Sequence, residues 1–242
     1  MENLLIFPLN EIIKIDYTLH QQKIKHQLNS AREKQDDFLK SYVSAKKKID
    51  NEKEVEKQMN FYISDMHLGH KKIIQMSKRP FENVEEMQEK MIENWNSTVS
   101  ENDEVYLIGD IFYKFGGNME TLLKQLHGHK HLIIGNHDMR LLKDKNACAY
   151  FDSIDHYKEI EDTLDGKAVH LVLFHYPILE WNGFFRNNIH LYGHIHNNTS
   201  NDTYKLTKKL KNAYNVGADI LGFTPRTLAD VRKMNETFWK SH

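Results

Sequence analysis

Cysteine is nearly absent from the chain: Cys148 is the single copy among 242 residues. An internal disulfide framework and a cysteine-rich zinc site are thereby excluded. Proline occurs four times and glycine eleven, too few for a low-complexity or linker-like chain. No apolar run approaches the roughly 20 residues needed to cross a bilayer, so no membrane partner is expected. Net charge is close to nil, 33 Lys and Arg against 34 Asp and Glu, so no global basic field points to nucleic acid. A local basic groove stays compatible with that balance. Residues 1–15 have no basic stretch ahead of the apolar Leu4–Phe7 patch and no small-residue cleavage site. A signal peptide is therefore not indicated, and the expected location is cytoplasmic.

What is abundant is histidine, at 15 copies. Two textures surround them. Residues 17–57 hold no Gly or Pro and carry sparse apolar positions at Ile24, Leu28, Ala31, Phe38, Tyr42, Ala45 and Ile49. Their heptad-like spacing, interrupted at Gln35, predicts one long amphipathic helix or two helices broken in the middle. Residues 1–58 are read as a helical extension, packed on its own domain or in an intermolecular coiled coil that would make a homo-oligomer. From residue 59 to 242 short apolar strands alternate with helices. Strands are expected at Met59–Ile63, Glu104–Ile108, His131–Ile134, Val169–Phe174 and Ile189–Tyr192. Asn83 with Glu86 forms a capping box for a helix from Val84 to about Ser100, and a second helix runs from Asn118 to Leu126. Thr224-Pro225 reads as the cap and first residue of a third, reaching about Asn235.

Each expected strand ends in a group able to bind a metal: Asp65 and His67, Asp110, Asn136 with His137 and Asp138, His175, then His194 and His196. In layered α/β folds ligands gather beyond the carboxyl ends of strands, where the loops converge. Carboxylates, an amide oxygen and imidazoles suit borderline divalent ions such as Mn, Fe, Zn, Co or Ni better than Ca or Mg. Seven candidate ligands exceed the needs of one tetrahedral ion but fit two ions sharing a carboxylate. Such pairs, roughly 3.5–4 Å apart, suit displacement at phosphorus.

The blocks SDMH (64–67), GD (109–110), GNHD (135–138), His175 and GHIH (193–196) resemble the motif series of the calcineurin-like metallophosphoesterase superfamily. The resemblance spans about residues 60 to 220. Asn94-Trp95-Asn96, His175-Tyr176-Pro177 and the run from Asn215 to Asp219 are similar to the small bacterial and phage-type phosphoesterases. It implies a four-layered α/β/β/α sandwich and a binuclear site, with Asp65, His67 and His196 on one ion and Asn136, His175 and His194 on the other. Asp110 would bridge the two. His137 would protonate the departing alkoxide, its ring oriented by Asp138, after in-line attack by a hydroxide bridging the ions. The implied substrate is a phosphate ester, nucleotide-like among the candidates, with a diester favoured over a monoester.

Two other classes stay open at the sequence level: a nuclease with the basic parts of residues 20–60 as a clamp, and a non-catalytic scaffold or interaction protein on the same fold. Arg79 and Arg186 lie in loops near motifs; each is read first as a salt-bridge partner and second as a phosphate ligand. Trp181, Phe184 and Phe185 either stack a nucleobase or close the core. His127, His129 and His131 are read as solvated or structural, His190 as an ordinary strand residue, and His70 first as the surface start of a helix and second as a group within reach of a substrate.

Overall fold

The computed structural model describes residues 32, 34–44, 46 and 58–242, and the chain divides into two units, Met1–Lys57 and Gln58–His242. In the first, residues 34–44 are helical and Phe38 and Tyr42 are exposed. The remaining expected apolar positions, Ile24, Leu28, Ala31, Ala45 and Ile49, lie outside the described residues, as does most of the basic segment 20–60. Among the described residues no helix is long and apolar enough to cross a membrane.

The second unit is α/β, with two four-stranded sheets. In one, β1 (Asn60–Ile63), β2 (Glu104–Leu107), β3 (His129–Ile133) and β4 (Ser153–Asp155) lie side by side and all parallel. In the other, β5 (Tyr157–Leu164) pairs antiparallel with β6 (Lys167–Phe174), and β7 (Ile189–Tyr192) and β8 (Ala213–Asn215) follow in parallel. The strand period of two sorts side chains between apolar layers. Phe61, Ile63, Val105, Leu107 and Leu132 pack with the helices Val84–Asn96 and Met119–Leu123. Their alternates Tyr62, Tyr106, Ile108 and Ile133 meet Leu171, Leu173, Ile189 and Leu191 of the second sheet. Val172, Tyr192 and Ala213 face a third cluster with Trp181 and Tyr204. Trp181 thus closes core, its Nε1 donating to the Asn188 carbonyl at 2.9 Å, whereas Phe185 is 83% exposed.

Local chemistry explains most element ends. Asn83 Oδ1 accepts from Glu86 N at 2.8 Å, and Glu86 reaches back to Glu82 N at 2.7 Å, which starts the helix burying Val84, Met87, Met91 and Trp95. That helix ends at Asn96, four residues before the expected Ser100, whose N–H is taken by Asp103 at 2.7 Å in the turn into β2. The β5–β6 hairpin turns on Asp165 and Gly166, both at positive φ (52° and 74°), the Asp-Gly signature of a two-residue turn. The expected start of the last helix at Thr224-Pro225 is corrected: it spans Leu228–Ser241, capped by Thr227. Arg226 instead pairs with Tyr62 (N–O distances of 2.9 and 3.1 Å), so that backbone is held extended and tertiary pairing overrides the cap signal.

His127, His129 and His131 are occupied structurally, as expected: they meet the Val99 carbonyl (3.1 Å), Asp152 (3.0 Å) and Glu104 (2.6 Å). His190 is wholly buried against Trp181, with Nδ1 3.0 Å from the Val172 carbonyl and Nε2 accepting from Ile178 N at 3.4 Å. That pattern requires a neutral ring, and burial holds its pKa down at about 4. A histidine depressed in the fold contributes its stability in full above the ordinary value near 6.5, and loses it as pH falls towards about 4. The contribution is about 3 kcal/mol at neutral pH. In metal-free protein the urea midpoint should therefore fall between pH 6.5 and 4 more steeply than in His190→Gln; equal slopes in the two proteins would show that His190 carries no such linkage.

Candidate metal centre

The loops beyond β1 and β2, and those beyond β6 and β7, are joined through their backbones, and the loop beyond β3 is joined to that beyond β2 through the Asp110 and Asp138 carboxylates. Asp65 N donates to the Gly109 carbonyl (3.0 Å), His67 N to Asp110 O (3.0 Å) and Gly193 N to His175 O (2.9 Å). Beyond β8, Val216 accepts from Ser64 N at 2.9 Å. The first and last strands of the two sheets are thereby tied at their carboxyl ends, and sequence-distant side chains meet.

This convergence strains the backbone. Among the described residues ten non-glycines have positive φ, and five of them are Asp65, His67, Asp110, His194 and His196. Each such residue costs on the order of 1–3 kcal/mol, and strain clustered in this way marks functional sites. Two glycines permit the close approach. A Cβ at Gly135 would run into the Asp110 carboxylate, and one at Gly193 into Ser64 and Asp65.

The donor atoms face one another at separations longer than hydrogen bonds. Asp65 is wholly buried; Oδ2 accepts from Ser64 Oγ and from His194 N (2.9 Å), but Oδ1 has no hydrogen-bond partner, nor has either ring nitrogen of His67. Asp110 Oδ2 lies 3.6 Å from both His67 Nε2 and His175 Nε2, and Asp65 Oδ1 stands 3.9 and 3.8 Å from His67 and His196 Nε2. These separations exceed hydrogen bonding, yet two donors each about 2.1 Å from one ion stand at most about 4.2 Å apart. His175 Nδ1 meets the Ile108 carbonyl at 2.8 Å, which assigns the proton there and turns the Nε2 lone pair towards Asp110 and towards Asn136 Oδ1 at 3.2 Å. Lone pairs opposed in a buried site repel unless a cation lies among them. Among the described residues two groups could hold an ion: Asp65, His67 and His196, and Asp65, Asp110 and His175. His194 stands at the margin, its ring centroid 5.3 Å from that of His175.

Electrostatics agree. Burial, followed by the neighbouring His196 and Arg79, drives the His67 pKa to about 2, so the ring is neutral and its lone pair free. Burial likewise lowers His194 and raises Asp110, with the Asp65 charge adding to the latter. For His196 burial acts downwards, but the bond to Asp219 and the Asp65 charge prevail and raise it.

Asp138 departs from expectation. Its carboxylate does not hold the His137 ring; it accepts from the backbone of Asp110 (2.8 Å), Ile111 (3.0 Å) and Gly135 (2.8 Å), and so fixes two loops. His137 is instead packed edge-on against Tyr113 (centroids 4.8 Å) and His67 (5.4 Å), with Nε2 3.9 Å from Asp110 Oδ2. Tyr113 also lies 3.9 Å from the ring of His70, which caps the helix Lys71–Met76 as expected but is half-buried. Arg79 is a salt-bridge partner: buried, it pairs with Asp219 (2.8 and 3.1 Å) and binds the carbonyls of Asp65 (2.7 Å) and Met66 (2.8 Å). Arg186 reaches only Asn182 Oδ1, at 3.4 Å, among the described residues.

The residue that sequence reasoning did not assign is Asp219. Its Oδ2 lies 2.8 Å from His196 Nδ1, which orients the ring with Nε2 towards Asp65. Its only sequence signal was its place at the end of the run Asn215–Asp219. A carboxylate behind a ligating histidine fixes tautomer and orientation. Asp219→Asn should weaken Zn or Mn binding, measured by calorimetry, about 10- to 100-fold; unchanged affinity would reduce Asp219 to a partner of Arg79.

No family model matches the chain. It is similar to an uncharacterized protein of Methanocaldococcus jannaschii, 29% identical over 182 residues that cover 73% of this chain and 90% of that protein. A shorter stretch of 81 residues is 33% identical to the gene 66 protein of Mycobacterium phage L5, covering 32% of this chain and 39% of that one. Among solved structures, a protein of unknown function from Aquifex aeolicus superposes with a TM-score of 0.55 at 25% identity, covering 74% of this chain and 99% of that one.

Proposed function

We propose that this chain is a binuclear metallophosphoesterase on an α/β/β/α sandwich, hydrolysing phosphate esters and diesters in preference to monoesters. One observation carries the reading: buried carboxylate and imidazole donors, including Asp65 Oδ1 and His67 Nε2, stand at ligand spacing without hydrogen-bond partners among the described residues. Asp110 Oδ2, 3.6 Å from both His67 and His175, supports its reading as the bridging carboxylate, although Asp65 is the residue common to the two donor groups. Asp65, His67 and His196 would hold one ion, and Asn136, His175 and His194 the other. Mn, Fe, Zn and Ni suit this mixed O/N set. Divalent ions there would neutralise phosphoryl oxygens and lower the pKa of the attacking water.

The remaining tasks fall to the protein. His137 donates its backbone N–H to Asp110 Oδ1 at 2.8 Å, which keeps its side chain beside the cluster. It is exposed, so a departing alkoxide can reach it and take its proton. A positioned acid of this kind contributes about 10²–10⁴-fold. Asp138 and Arg79 keep the loops from relaxing away from their strained conformations.

Stripped protein re-supplied with Mn, Ni, Zn or Mg should hydrolyse bis-p-nitrophenyl phosphate faster than p-nitrophenyl phosphate. His137→Ala should lower turnover about 10²–10⁴-fold with metal still bound, and Asp110→Asn should lose both turnover and metal. A protein that takes up no divalent ion would sink the reading.

A further inference from the structure

A groove of about 660 Å³ runs alongside the metal centre and shares His194 and His196 with it. One side is formed by Ile73 and residues 76–78 and the other by residues 194–201, with His242 also lining it. Its sides are tied together, since Asn197 Nδ2 donates to the Ser77 carbonyl at 2.9 Å. Arg79, directly after the first side, is locked to Asp219 and through it to His196. The groove is therefore fixed relative to the donor cluster. Its chemistry is one-sided: no Asp or Glu side chain lines it. Lys78, held at φ 53°, forms no ion pair among the described residues. Asn198 binds Ser200 through its oxygen (3.1 and 2.8 Å), which leaves its amide nitrogen without a protein partner.

His137 is not among the groove's residues; it sits beside Asp110, His67 and Tyr113. Resting on the phosphoesterase reading, we infer that the groove receives the arm of a phosphodiester that stays on phosphorus, while the departing arm lies by His137. The retained arm it fits is hydroxylated and neutral or anionic, as a nucleoside is. A quaternary ammonium would meet Lys78 with no Asp or Glu side chain to pair with. A monoester has no retained arm and leaves the groove unused.

Three substrates with the same departing phenol isolate the retained arm: the p-nitrophenyl ester of thymidine 5′-monophosphate, p-nitrophenyl phosphorylcholine and p-nitrophenyl phosphate. The thymidine ester should exceed the choline ester in kcat/KM by about tenfold, and Lys78→Glu should narrow that ratio at least about fivefold. Equal ratios in both proteins, or turnover of p-nitrophenyl phosphate alone, would overturn the inference. If nothing is hydrolysed the esterase reading fails, and binding then decides the groove separately. In Zn-loaded protein, thymidine 5′-monophosphate should shift the amide resonances of residues 76–78 and 197–201, and phosphorylcholine should not. No response there to thymidine 5′-monophosphate would overturn it.

Discussion

Asp65 has its carboxylate in a place where burial leaves one oxygen satisfied and the other facing lone pairs. Oδ2 takes its hydrogen bonds from Ser64 and from the backbone of His194; Oδ1 looks at His67 and His196 across 3.9 and 3.8 Å with no proton to share. An uncompensated buried carboxylate is costly. Burial keeps His67 neutral, whereas the bond to Asp219 and the Asp65 charge raise His196. The donor groups could hold a metal ion, and the strained backbone at Asp65, His67, Asp110, His194 and His196 is the conformation that turns them towards one another.

Two buried carboxylates carry the structural side of that constraint. Asp138 gathers the amides of Asp110, Ile111 and Gly135, so the loops beyond β2 and β3 move as one. Asp219 joins Arg79 to His196; burial acts to raise its pKa, but His196 and Arg79 hold it below the usual carboxylate range. Arg79 in turn holds the carbonyls of Asp65 and Met66. The loop after β1, the loop after β7 and the segment after β8 thus form one hydrogen-bonded frame around the donors. The groove that carries Lys78 is built on the same frame, because Ser77 and Arg79 belong to it.

Much of this was legible beforehand. Strands β1, β2, β3, β6 and β7 showed as apolar runs, and their ends carried the donor types in order. The Asn83 capping box is a local device and reads directly from adjacent residues, whereas Asn118, expected as the first residue of its helix, is the cap of a shorter one, Met119–Leu123. β4, β5 and β8 were not seen. β4 and β8 are three residues each, too short for a period to show, while β5 alternates half-buried and exposed positions with little apolar content. The Asp165-Gly166 turn was the signal that could have revealed β5. Thr224 was read as a cap because Thr-Pro is a local signal, but Arg226 is claimed by Tyr62, 164 positions away in sequence.

The sequence by itself determined the inventory: which donors stand at which strand ends, and that no thiolate competes with them. Those features are local, set by residue type, period and neighbouring caps. Only the tertiary structure decided how the inventory is used. Asp138 turned out to serve backbone amides rather than the ring of His137, because β2 and β3 run side by side and bring N–H groups within 3.0 Å of its carboxylate. Asp219 and Arg79 became the support of His196 and Asp65 because β8 and β1 meet at their carboxyl ends. Hydrogen bonds of such short reach between residues so far apart in the chain are fixed by packing, which no local pattern records.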